Sequence, residues 1–153
     1  MKRTETIKAL SFCLAILCMF FAMKFPVMAQ SFFGKCGENV SWTLNTNTGV
    51  LSITGQGEME DYASSSEAPW GPYAYEIEHI TVGTGVIRIG SHAFGDNGGL
   101  SSVTLSNSVQ TIGAYAFANC NNLRDIQLGN GLAYLEDGVF YNCSSLEMLE
   151  FQS

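Results

Sequence analysis

The sequence predicts a β-rich solenoid, in which similar units with short parallel strands stack on one another behind an N-terminal β-hairpin cap. Three observations favour this fold class. Apolar residues recur at a constant step of 23 from Ile77 onwards, and no insertion breaks the register. Within each unit these residues alternate as they do in an extended strand. A separate stretch before residue 77 alternates in the same way around a turn signal, which is typical of a hairpin.

The first 29 residues are expected to be a secretory signal peptide. Basic residues between Lys2 and Lys8 precede an apolar run of roughly 15 residues, which is shorter than the ~20 needed to span hydrocarbon. Small residues ending at Ala29 predict cleavage before Gln30. An uncleaved membrane helix and a lipoprotein acylated at Cys18 are the alternatives. Because no anchor follows, we expect a secreted or cell-surface chain without membrane insertion after cleavage.

The charge balance after residue 29 argues against several classes of partner. Three cations, Lys35, Arg88 and Arg124, stand against thirteen acidic residues, which gives a net charge of −10. Nucleic acids and anionic membrane surfaces bind basic proteins, so neither is expected as a partner. A soluble protein outside a cell commonly carries such a balance.

Three cysteines remain after the signal segment, and they are too few for a disulfide framework. Cys120 and Cys143 are one period apart, so they would stack roughly 5 Å from each other on neighbouring strands, within reach of a disulfide. Free, buried thiols are the favoured interpretation, because stacked side chains point in parallel and a buried cysteine behaves as a small apolar residue. No metal is expected, since no third or fourth ligand recurs.

Residues 30–76 are expected to form the cap, which consists of a β-hairpin and a loop rich in aromatic residues. Residues 40–44 and 51–53 alternate on either side of the turn signal "NTNTG". The first unit of a solenoid needs a cover on its apolar edge. The side chains expected to pack over Ile80 and Ile89 are Trp42, Met59, Tyr62 and Trp70.

Residues 77–153 contain the repeats, three full units of 23 residues and one partial unit. The pattern L-x-x-I-x-L places a strand in each unit, with Val103 and Leu105 pointing inward and Thr104 outward. A turn signal and a second short extended piece follow, and "AYAFANC" is expected to close the coil as a tight helical turn. The recurring Phe94, Phe117 and Phe140 would fill the interior opposite the sheet.

The complete pattern L-x-x-I-x-L-x-x-x-V-x-x-I-G-x-x-A-F-x-N-C resembles the leucine-rich repeats of the BspA-like (Treponema pallidum type) class. The resemblance covers about residues 77–153. It implies a right-handed leucine-rich repeat coil with short parallel strands and convex helical turns. It also implies a secreted or surface protein that mediates adhesion and contact with host proteins.

The last unit leaves apolar residues without a following unit to cover them. Leu146, Leu149 and Phe151 would lie at the open end of the solenoid, which repeat proteins normally close with a polar final unit. Either this end self-associates with another copy, or the chain is a short or truncated relative of a longer protein.

Candidate catalytic groups are sparse, and we expect no enzyme activity, no catalytic residues and no cofactor. His79 and His92, the two histidines, fall in different parts of the unit. Ser91, His92 and Asp96 lack the oriented base and oxyanion hole of a catalytic triad. The acidic run "GEMEDY" lacks the spacing of a calcium loop or of glycosidase carboxylates.

Function in a stacked sheet usually resides in the regular grid of outward side chains on its concave face. The predicted binding residues there are mixed and polar, and they are His79, Thr81, Ser102, Thr104, Asp125, Gln127, Met148 and Glu150. They predict a non-catalytic protein-interaction or adhesion module, whose partner is a protein or surface polymer, such as a host extracellular protein. A structural spacer, a fragment of a longer surface protein and an accessory region of an extracellular enzyme are the alternatives.

Overall fold

The computed structural model describes residues 30–151, so the expected signal peptide lies outside the described residues. The described chain contains short strands and two 3₁₀ helices, Ser65–Glu67 and Gly71–Glu76. The strands, in chain order, are β1 (Ser31–Lys35), β2 (Val40–Asn45), β3 (Val50–Gly55), β4 (Gly57–Glu58), β5 (His79–Val82), β6 (Val86–Ile89), β7 (Ser102–Leu105), β8 (Thr111–Ile112), β9 (Asp125–Leu128), β10 (Tyr134–Leu135) and β11 (Met148–Phe151).

The strands form two sheets of a β-solenoid. The long sheet has seven strands in the order β1-β2-β3-β5-β7-β9-β11, and the short sheet has four in the order β10-β8-β6-β4. Parallel pairing joins successive units at the 23-residue step, so that Ile80 faces Val103 and Val103 faces Ile126. The period that is visible in the sequence is therefore the hydrogen-bonding register of the solenoid.

The N-terminal segment extends the long sheet. Strands β2 and β3 pair antiparallel around the "NTNTG" turn, and β1 adds a third antiparallel strand that the sequence pattern does not predict. Strand β3 then pairs in parallel with β5, with Leu51 opposite Ile80 and Ile53 opposite Val82. The first unit is thus covered by a continuation of its own sheet.

The interior of the solenoid is filled by the recurring apolar residues. Residues that occupy the same position in successive units form a column. In one such column, Ile80, Val103 and Ile126 are each 1 % exposed, whereas Leu149 is 48 % exposed. Since each unit is covered by the next, burial is complete in the inner units and decreases in the last one.

A continuous file of aromatic rings runs along the interior opposite the long sheet. Phe94, Phe117 and Phe140 stack with centroid distances of 5.3 and 5.8 Å, as the repeat predicts. Trp70 continues the file, because its ring stacks 5.1 Å from that of Phe94 and its Nε1 donates a 2.8 Å hydrogen bond to the carbonyl oxygen of Ala93. The loop before the repeats therefore packs directly on the core of the first unit.

The units are closed by hydrogen-bonded turns and not by the convex helical turns that the sequence pattern predicts. These turns span residues 91–96, 114–119 and 137–142. Their second and sixth residues have positive φ, 55° at both His92 and Asp96, which interrupts a right-handed helix. Backbone amides in the turns donate to the next unit, as from Phe94 to Ala116, so they are not available for bonds within a helix.

Cys120 and Cys143 occupy one column beside these turns. Both are free thiols, as is Cys36 in the cap. The Sγ of Cys120 donates to the carbonyl oxygen of Phe94 at 3.2 Å, and that of Cys143 to the carbonyl oxygen of Phe117 at 3.0 Å. Burial raises the pKa of the Cys120 thiol to about 12. The column therefore consists of protonated thiols that satisfy the turn of the preceding unit.

Candidate functional site

The eight predicted binding residues lie on the outer face of the long sheet, in two adjacent columns. Strand pairing sets the register within each column. One column contains His79, Ser102, Asp125 and Met148, and the other contains Thr81, Thr104, Gln127 and Glu150. All eight side chains are exposed or half-buried, because successive residues of a strand point to opposite faces and the alternate residues fill the core.

Side-chain hydrogen bonds connect neighbouring strands at the N-terminal end of this face. His79 Nδ1 lies 2.8 Å from Ser102 Oγ, and Thr81 Oγ1 donates to Ser52 Oγ at 3.1 Å. Cross-strand pairs of this kind hold the polar side chains in fixed positions. This part of the face is therefore preorganised.

A shallow depression of about 250 Å³ lies at the other end of the face. Six of the eight predicted residues line it, while His79 and Thr81 lie outside it. Its walls include Met148, which is 47 % exposed, and the carboxylates of Asp125 and Glu150. The depression thus combines one flexible apolar side chain with two negative charges.

The outer face is larger than the repeats alone predict, because the cap contributes three more strands. Phe33 pairs with Thr43, Thr43 with Ser52 and Ser52 with Thr81, so the second column continues across the cap. Phe33 is 80 % exposed at the end of this column. A second depression of about 420 Å³ lies on the cap and includes Thr43 and Ser52.

Sequence reasoning missed these cap residues for a specific reason. A hairpin before the first unit predicts a cover for that unit, but the alternation around Thr43 and Ser52 also assigns both side chains to the face opposite the core. Strand β1 begins one residue after the expected cleavage point, and its short sequence "SFFGK" gives no turn signal or long alternation.

Negative charge dominates the part of the outer face that the repeats form, whereas β1 of the cap adds one cation, Lys35, on the same side of the strand as Phe33. Asp125 and Glu150 belong to the two columns, and neither column contains Lys or Arg. Arg124, the residue before β9, is exposed beside them. A partner with a basic surface therefore fits this face better than an anionic one.

The residues considered for catalysis have structural contacts. The ring of His92 stacks on Tyr115 with a centroid distance of 5.4 Å. The Asp96 carboxylate accepts hydrogen bonds from Ser65 Oγ at 2.6 Å and from Asn119 Nδ2 at 2.8 Å, and these bonds lower the pKa of Asp96. The side chain of Ser91 has no described bond to either residue, and the three do not form a triad.

The acidic turn after β4 forms an ion-pair cluster. Arg88 lies 2.7 Å from Asp61 and 3.2 Å from Glu136, and Asp61 Oδ1 also accepts from the backbone amide of Ser91. These contacts hold the loop against the short sheet.

Between residues 30 and 151, no three His, Cys, Asp or Glu side chains lie close enough together to hold a metal ion. None of the helices in that range has the length and apolar character needed to cross a membrane.

Two solved structures are similar to this chain, and the first of them shares its fold. A leucine-rich repeat protein from Eubacterium ventriosum is 21 % identical, with a TM-score of 0.58 over 81 % of this chain and 45 % of its own. A leucine rich cell surface protein from Faecalibacterium prausnitzii is 19 % identical, with a TM-score of 0.42 over 79 % of this chain and 43 % of its own. The chain therefore spans less than half the length of each.

A search of curated proteins gave no significant match. The family model described as "BspA type Leucine rich repeat region" matches residues 73–153 in six copies. This match covers more than half of the chain and includes every unit that forms the solenoid. The protein belongs to the BspA-type leucine-rich repeat family.

Proposed function

We propose that the protein is a non-catalytic interaction module that acts after secretion or at the cell surface and binds a protein partner through the outer face of the long sheet. The signal-like segment 1–29 and membership of the BspA-type family support the location. The observation that carries the binding role is the outer face itself, a continuous grid of polar side chains across seven strands.

The area of this grid determines how it binds. Seven strands spaced ~4.8 Å apart, each with about four residues of ~3.3 Å, present roughly 440 Å². A standard interface needs ~800 Å² from each partner. A single copy therefore binds weakly, and several copies displayed together bind firmly through avidity.

The chemistry of the grid defines the partner. Asp125 and Glu150 attract basic side chains, and the exposed ring of Phe33 provides an apolar anchor at the other end of the second column. Exposed aromatic residues often contribute much of the binding energy of an interface. The partner is a basic extracellular protein, such as a host matrix protein.

A matched pair of charge substitutions tests the proposal. Gln127 is exposed in the second column, and Gln110 is exposed just before β8 of the short sheet, so Gln127→Arg and Gln110→Arg make the same chemical change on different faces. Residues 30–153 would be displayed as a tetramer and tested against immobilised extracellular matrix proteins and intact host cells. We expect Gln127→Arg to weaken binding about tenfold by repelling the basic partner, and Gln110→Arg to leave it unchanged.

The same experiment separates binding from a spacer role, the second candidate function. The chain spans less than half the length of the two solved structures that it matches, which favours a part within a longer architecture. If the tetramer binds none of the matrix proteins or cells, the interaction proposal is wrong and the spacer role is favoured. Equal losses in both variants would place binding away from the outer face.

The exposed apolar end provides a second contact surface, for another copy of this chain. The columns that are buried in the inner units end at Leu149 and Phe151, which are 48 % and 65 % exposed. Covering such side chains is favourable at ~25 cal/mol per Å². We propose end-to-end self-association here, on the same physical basis that stacks one unit on the next.

A further inference from the structure

A cleft lies between the turns of the three units, on a surface that the proposed protein contact does not use. Gly95, Ala118 and Tyr141 occupy one column, directly after the aromatic file. Gly95 and Ala118 are buried, and Tyr141 is 65 % exposed. The first two units therefore have almost no side chain where the third has a phenol ring, and the space forms a cleft that the ring closes at one end.

Aromatic rings and polar groups line this cleft. The stacked rings of His92 and Tyr115 lie along it, 5.4 Å apart and within 11° of parallel. Ser65, from the loop before the repeats, lies among the lining residues as well. The volume is about 360 Å³, at the lower end of the ~300–1,000 Å³ that small-molecule sites occupy.

The polar groups in the cleft are held in place by one another. Asp96 accepts from Ser65 Oγ at 2.6 Å and from Asn119 Nδ2 at 2.8 Å, and Asn119 Oδ1 accepts from Asn142 Nδ2 at 3.1 Å. A carboxylate has about four acceptor positions and a hydroxyl oxygen has two. Asp96 and Ser65 therefore keep acceptor positions for a ligand that donates hydrogen bonds.

The lining chemistry identifies the class of ligand. Rings of Tyr and His offer apolar faces, and Asp96 and Asn119 offer fixed polar groups beside them. Among the described residues that line the cleft, none is Lys or Arg, so an anionic ligand would meet Asp96 without a compensating cation. A ligand with apolar C–H faces and many hydroxyl donors, and without charge, satisfies all of these groups.

We propose that this cleft binds a neutral carbohydrate, with a sugar ring against Tyr141 and its hydroxyls donating to Asp96 and Ser65. The site is independent of the outer face of the long sheet. The protein would then hold a protein partner on one surface and a neutral glycan on another.

An array of neutral glycans, built from hexoses, N-acetylhexosamines, deoxyhexoses and pentoses, tests the proposal, with dextran sulfate as the anionic comparison. Residues 30–153 would be applied as the same tetramer. Tyr141→Ala removes the exposed ring, and Tyr75→Ala is the matched control because Tyr75 is 86 % exposed outside the cleft. We expect Tyr141→Ala to weaken glycan binding about tenfold and Tyr75→Ala to leave it unchanged.

A second variant adds a methyl group to the cleft without removing a contact. A Cβ at Gly95 would lie 3.4 Å from the carbonyl oxygens of Ala118 and Tyr115 and 3.6 Å from the Cβ of Ser65, which are ordinary contacts, so Gly95→Ala is accommodated. We expect Gly95→Ala to weaken glycan binding at an unchanged melting temperature, because its methyl group occupies space that the ligand needs, while Gln127→Arg retains full glycan binding. The proposal is overturned if no neutral glycan binds, if only dextran sulfate binds, or if Tyr141→Ala and Gly95→Ala both bind like the unchanged chain.

Discussion

The aromatic file predicts that Phe117, which lies inside the file, contributes more to stability than Phe140 at its edge. Its side chain is fully buried, and its ring stacks on Phe94 at 5.3 Å and on Phe140 at 5.8 Å. Truncation of a buried Phe to Ala lowers the free energy of unfolding by ~3–5 kcal/mol. Each lost ring pair removes ~0.5–1.5 kcal/mol beyond the buried area, so Phe117→Ala is expected near 5 kcal/mol.

Phe140→Ala is the matched comparison, because it makes the same change at the edge of the file. Phe140 is only half-buried and stacks on one described ring, so we expect a loss of about 2 kcal/mol. Phe117→Leu keeps most of the volume and should lose less than about 1.5 kcal/mol. The difference between the two alanine variants measures how strongly an inner unit depends on both neighbours.

Urea unfolding followed by circular dichroism measures these changes on residues 30–153. A domain of this size has a total stability of ~5–15 kcal/mol, so Phe117→Ala would be close to unfolding without denaturant while Phe140→Ala stays folded. Equal losses in the two variants would contradict the reasoning. They would mean that the units are stabilised separately and that the file is not a shared core.

Two further predictions concern charge and association. The hydrogen bonds donated by Ser65 and Asn119 lower the pKa of Asp96 from 3.8, so this carboxylate stabilises the folded chain above about pH 4 and loses that effect as the pH falls through its folded pKa. The melting temperature of Asp96→Asn should therefore fall less between about pH 4 and pH 2 than that of the unchanged chain. Equal falls in the two proteins would refute the stabilising role of the Asp96 carboxylate. Self-association through the exposed apolar end predicts a lower mass for Phe151→Glu than for the unchanged chain. Light scattering at high protein concentration should give a mass close to that of one chain for this variant, and an unchanged mass would exclude this end as the contact.

The stacking of the units could be predicted from the sequence because every member of a column has the same surroundings. Ile80, Val103 and Ile126 each lie between an earlier and a later strand, so all three must be apolar and of similar size. The aromatic file follows from the same rule. A fixed step without insertions therefore predicts both the register and the core.

The turns could not be predicted in the same way, because their conformation depends on hydrogen bonds between units. His92 and Tyr115 have a φ of 55°, a region that residues other than glycine rarely adopt, and nothing in their residue types indicates it. The amides of this column bond to carbonyls one unit away, and these bonds override the helical preference of "AYAFANC". Local propensity alone is a weak guide under such conditions.

The two candidate sites differ in how much of them the sequence predicts. The columns of the outer face follow directly from strand alternation, and only the cap end with Phe33 was missed. The cleft depends on Ser65, which comes from a loop outside the repeat pattern and meets Asp96 across 31 positions of the chain. No period in the sequence indicates that contact.

The union of cap and repeats in one sheet has a consequence for how such a protein can evolve. Duplication of a single 23-residue stretch adds one row to the surface and leaves the hydrogen bonds of every existing row as they were. Recognition and folding are then largely under separate selection, since outward positions tolerate more change than inward positions, which must keep their size. A lineage can therefore lengthen or rewrite its contact surface in small genetic steps.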